Sequence, residues 1–80
     1  MERDLARHVI RTAFRTAREL SGLLAMLKQY LDEEEYKAYA RRIATAIHTI
    51  GVELVDPTYV AQPGLKDEVE ASLDRYERFL

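Results

Sequence analysis

Eighty residues without cysteine, 48% hydrophobic and 32% charged with a net charge of −2, make one folded domain and exclude a disordered tail. Ordering such a chain costs on the order of 120 kcal/mol, at about 1.5 per residue, and apolar burial at this size only just offsets that. A disulfide is excluded, as is a structural zinc site of the usual Cys/His kind, because the only histidines are His8 and His48. Extra burial is therefore expected from a second copy of the chain.

Helix 1 is expected over about 2–30. On a wheel of about 100° per residue, Leu5, Val9, Ala13, Leu20, Leu23, Leu24, Leu27 and Leu31 share a face. Arg3, Arg7, Arg11, Arg15 and Arg18 centre on the opposite one. Ile10, Phe14 and Met26 fall off the apolar face, so the helix is expected to touch two neighbours. Gly22 is its weak point, since glycine costs about 1 kcal/mol in a helix interior, but the leucine phase runs through it. Ala13, Ala17, Ser21 and Ala25 form a low ridge at spacing four, matched in helix 2 by Ala40, Ala44 and Gly51. Close approach is expected along both.

Asp32 is placed to cap helix 2, with Glu35 at capping-box spacing and Glu33 and Glu34 in the first turn, where the helix dipole favours acids. Helix 2 is expected over about 33–55, burying Tyr36, Ala40, Ile43, Ile47, Ile50 and Leu54, with Asp56-Pro57 as its stop. Residues 56–64 read as a connector, with Tyr59 and Val60 packed on the hairpin. Helix 3 is expected over about 65–79, with Leu65, Val69, Leu73, Tyr76 and Leu80 on a narrow stripe. A helix this short must dock to persist. Its acids, Asp67, Glu68, Glu70, Asp74 and Glu77, complement the basic first helix.

No catalytic or ligand-binding motif rises above background. The five arginines span roughly 22 Å of helix and could track phosphates through bidentate contacts, or simply form a solvated face. Neither His8 nor His48 has carboxylates at helical spacing that would suggest a ligand set, and both read as surface residues. The acids of residues 32–35 lack the glycine and alternating oxygens of a calcium loop. The expectation is an all-α fold: a long antiparallel hairpin plus a shorter C-terminal helix, completed to a four-helix core by dimerisation. It is expected to be a cytoplasmic, non-enzymatic interaction module without cofactor or metal. It should self-associate and bind a protein partner through Ile10, Phe14, Met26, Tyr39 and Tyr59. The alternative is a small nucleic-acid-binding protein that uses the arginine face. No apolar run approaches the roughly 20 residues of a membrane span.

Overall fold

The computed structural model describes residues 1–78 in secondary structure and the side chains of residues 1–71. The described regular structure is all helical: α1 (Arg3–Tyr30), α2 (Glu33–Ile50), a π-helical turn (Gly51–Val55), α3 (Asp56–Ala61) and α4 (Leu65–Arg78). Backbone angles stay in the right-handed helical region from Ile50 to Asp56, so α2, the π-turn and α3 make one continuous rod. The molecule is thus three rods. No helix among the described residues is long and apolar enough to cross a membrane.

The turn between α1 and α2 forms for the reasons its residues suggest. Leu31 leaves the helix in an extended conformation, its N–H donating to the Leu27 carbonyl at 2.9 Å. Asp32 then accepts a hydrogen bond from the Glu35 N–H at 2.8 Å, satisfying one of the unpaired donors that open a helix. With only two residues in the turn, the rods run antiparallel. Gly22 lies inside an unbroken α1.

Which residues meet along the hairpin differs from the wheel. The inward positions of α1 are Ala6, Ile10, Ala13, Ala17, Leu20, Leu24, Leu27 and Leu31, all buried or half-buried and spaced 4-3-4-3-4-3-4 without a slip. This is a heptad seam. Leu5 and Leu23 are exposed instead. The alanines explain the exchange: small side chains at Ala6 and Ala13 let Val55 and Leu65 come close to α1, and Ile10 at 1% exposure fills the space between. The low ridge at spacing four makes contact only at its start. Ser21, Ala25 and Ala44 are exposed, because each step of four residues overshoots a heptad seam by about 40°.

The second rod carries the matching seam Tyr36, Ala40, Ile43, Ile47 and Ile50, and then departs from expectation. Leu54, the next position in phase, is 48% exposed, while Val55 is 8% exposed and Thr58 is buried. The π-turn is the cause. The Asp56 N–H donates to the Gly51 carbonyl, five residues back, so the turn holds one residue more than an α-turn and the seam resumes one position later.

The same turn explains why Asp56-Pro57 does not stop the helix and why 56–61 is not a connector. In an α-helix the ring of Pro57 would strike the Glu53 carbonyl, which would also lose its donor. A widened turn lies immediately before it, and the widening is expected to move that carbonyl aside. Buried Thr58 is satisfied by donating its hydroxyl to the Leu54 carbonyl at 2.6 Å. Tyr59 packs against the core, whereas Val60 points away, at 80% exposure.

Leu65 is fully buried and docks α4 on the cluster of Ala6, Ile10, Ala13 and Val55, with Val69 beside it. The Gln62 side chain donates to the Met1 carbonyl at 2.6 Å, tying the end of the second rod to the start of the first. The expected stripe positions Leu73, Tyr76 and Leu80 lie outside the described side chains.

Candidate functional site

One position before each inward residue of α1 lies a second series: Leu5, Val9, Thr12, Thr16, Glu19, Leu23, Met26 and Tyr30. It has the same 4-3-4 spacing and is rotated by about 100° from the first. Leu5 and Met26 are each 53% exposed, and Leu23 and Tyr30 are exposed as well. On the second rod the residues one before the seam are Glu35, Tyr39, Arg42, Ala46, Thr49 and, past the π-turn, Leu54. Because the rods run in opposite directions, a backward step of one residue turns both series toward the same side. The groove between them bears this out: about 280 Å³, it is lined by His8, Val9, Thr12 and Thr16 from α1 and by Ile50 and Leu54 from the second rod, with Ala13 at its base. The side chains of Tyr39 and Arg42 meet on this side, the guanidinium carbon 5.3 Å from the ring centroid, a cation–π distance.

The opposite side of the hairpin is where α4 sits. Arg7 and Phe14 follow the inward positions Ala6 and Ala13 by one residue, and Arg7 holds Glu68 of α4 through Nε to Oε1 at 3.1 Å, with Arg3 adding a bond to Oε2 at 3.1 Å. Arg7 also pairs with Asp4 at 2.6 Å. The broad face carrying Leu5, Leu23, Met26, Tyr39 and Leu54 is therefore the one that the fold leaves uncovered.

The expected partner residues separate accordingly. Met26 and Tyr39 lie on the uncovered face. Ile10 does not, being buried in its own chain's core; Phe14 and Tyr59 are half-buried against that core on the α4 side. Burial, with help from Glu70 and Asp56, pushes the Tyr59 phenol above its ordinary pKa, as fits an embedded side chain. A helical wheel places Leu5, Leu23 and Leu54 in the interior and so misses them as exposed positions. The signal that finds them is the uninterrupted heptad from Ala6 to Leu31, which leaves a second apolar series one residue out of phase.

The five arginines also separate. Arg3 and Arg7 are engaged by Glu68, while Arg11, Arg15 and Arg18 are exposed. The Arg7 hydrogen bond, with Arg3 assisting, holds the Glu68 carboxyl below its usual pKa, against a smaller opposing effect of burial. A lowered carboxyl stabilises the fold above the unfolded value of about 4.3 and loses that contribution as pH falls through the depressed value. The difference in melting temperature between the wild type and Glu68→Gln is therefore expected at pH 6 and should diminish as the pH falls below about 4.3. A circular-dichroism melt showing no difference at pH 6, or an undiminished one at pH 3, would contradict this. The effect is modest, because both partners are well solvated.

His8 and His48 are exposed on different sides, His8 at the groove edge. Among the described residues no group of three or more His, Asp or Glu side chains is placed to hold a metal ion. No known protein family, no curated protein and no solved structure matches the chain.

Proposed function

We propose that the protein is a helical interaction module that self-associates through the uncovered face of its hairpin, forming a four-helix core from two copies. The observation that carries this reading is the set of large apolar side chains, Leu5, Leu23, Met26, Tyr30, Tyr39 and Leu54, exposed together on the side away from α4. Exposed apolar groups of this size, gathered at both ends of one face, mark interaction sites on soluble proteins.

The magnitudes agree. The chain exposes 6505 Å², whereas a compact monomer of 9.3 kDa is expected to expose about 5,000 Å². Its radius of gyration is 15.3 Å, against about 12 Å for a compact chain of this length. The excess area, roughly 1,500 Å², is spread over the whole chain, and a standard interface would bury ~800 Å² of each partner. A flat molecule, 45 × 30 × 14 Å, gains most by stacking on its broad face. The arginine face supports a nucleic-acid role less well, since Glu68 already occupies two of its five guanidiniums.

Sedimentation equilibrium of the wild type at micromolar concentration is expected to give a dimer. Met26→Lys, at an exposed position, should give a monomer of unchanged helix content. A wild type that sediments as a stable monomer at those concentrations would overturn the reading.

A further inference from the structure

The uncovered face carries few charges, and their placement restricts how a second copy can sit on it. Glu19 is the only acid in the outer series of α1; among the matching positions of α2 Arg42 is the only base, and Glu35, at the turn end, the only acid. Neither Glu19 nor Arg42 has an ion-pair partner in its own chain among the described residues. Both are central. In the hairpin Ala13 lies level with Ile50 around the same groove, and counting toward the turn from that pair places residue 19 level with residue 44, within about 3 Å along the axis of Arg42. Arg42 stays on its side of the face by stacking on Tyr39.

We propose that the occupant is a second copy related by a two-fold axis parallel to the helices, so that α1 of each chain lies across α2 of the other and Glu19 pairs with Arg42 of the partner subunit. This rests on the self-association reading and adds its geometry. The two-fold makes the pair twice, flanking the axis, and neutralises both charges as the face loses water. It also stacks like ends together. Leu23 and Met26 come over the Tyr39 ring across the interface at the turn end, and Leu5 and Val9 come over Leu54 at the other, while the small side chains of Thr12, Thr16 and Ala46 let the layers close between them. The competing two-fold runs across the helices and sets α1 on α1. With its axis through the middle of the hairpin, near residues 17–18 of α1, it would place Glu19 opposite Thr16 and Arg42 opposite Thr49, leaving both charges without counterparts. Electrostatic complementarity favours the first arrangement, because desolvated charges that are left unpaired penalise the second.

The arrangement makes a prediction that the crosswise packing does not share. Glu19→Arg alone sets two guanidiniums against each other across the interface, and Arg42→Glu alone sets two carboxylates against each other there. Each variant is therefore expected to dimerise at least about tenfold more weakly than the wild type. Mixed together they restore both opposite-charge pairs, since the chain with a base at both positions meets the chain with an acid at both, and a heterodimer of near wild-type affinity should form. Sedimentation of each variant and of the equimolar mixture reads this, with circular dichroism confirming that both chains fold, as exposed positions allow. Single variants that dimerise like the wild type, or weakened variants that do not recover on mixing, would overturn the proposed axis while leaving self-association standing. A monomeric wild type in the same experiment would remove self-association itself. A second measurement uses the absence of native cysteine. Leu23→Cys and Tyr39→Cys chains should form a disulfide-linked heterodimer when mixed under mild oxidation, whereas efficient linkage between Val9→Cys and Met26→Cys chains would establish the crosswise axis instead.

Discussion

Replacing Ile10 with alanine is expected to lower the unfolding free energy by about 3 kcal/mol, whereas Leu5→Ala, one turn away and larger in exposed area, should change it by less than about 1 kcal/mol. Ile10 is 1% exposed and touches the cluster that joins all three rods: Ala6 and Ala13 on its own helix, Val55 on the π-turn and Leu65 on α4. Its removal leaves a cavity that rigid helices on three sides cannot collapse to fill. For an 80-residue chain the total stability is about 4–12 kcal/mol, so this one substitution removes a large share of it. Urea unfolding in a Met26→Lys background measures the effect without the contribution of association, which would add a concentration-dependent term. Equal effects at Leu5 and Ile10 would mean that α1 is rotated about its axis from this register.

That contrast also shows how far the fold can be read from the residues. The cap at Asp32, the two long helices and the docking of a third through Leu65 were all legible, because each depends on local chemistry or on a strong apolar period. So was the attraction between the basic first helix and the acidic last one, now seen as Arg3 and Arg7 on Glu68. The face of α1 was legible at Ala13, Leu20, Leu24, Leu27 and Leu31 but not at its start, because weighting by hydrophobicity favours Leu5 and Val9 over Ala6, while close packing selects the alanine. A wheel at a fixed angle per residue also blurs a 3.5-residue seam as the helix lengthens. The candidate site inherited this error. Once Leu5, Leu23 and Leu54 were placed inside, the remaining off-face residues Ile10, Phe14 and Tyr59 looked like the exposed surface.

The π-turn was illegible for a different reason: an extra residue in one turn changes no composition and breaks no helix, so only Pro57 hints at it. Its role can be tested by removing that residue. Deleting Val52 shortens the step from Ile50 to Val55 to the four residues an α-helix needs, keeping Val55 and Thr58 on the seam. The deletion also brings the Pro57 ring back against the carbonyl four positions earlier, at a cost of about 3 kcal/mol. Deletion of Val52 alone is therefore expected to destabilise the protein by about that much, and the deletion combined with Pro57→Ala to return within about 1–2 kcal/mol of the wild type, the two changes being strongly non-additive. Deleting the exposed Arg15 from α1 is the control. That helix has no spare residue, so either Ala6 and Ile10 or the run from Leu20 to Leu31 must leave the seam. Losing several buried side chains at about 2–5 kcal/mol each exceeds the stability available, and no cooperative melt should remain. If the Val52 deletion with Pro57→Ala instead behaved like the Arg15 deletion, the π-turn would not be the element that re-phases the second rod. If the Val52 deletion alone were as stable as the wild type, Pro57 would not be what the widened turn accommodates.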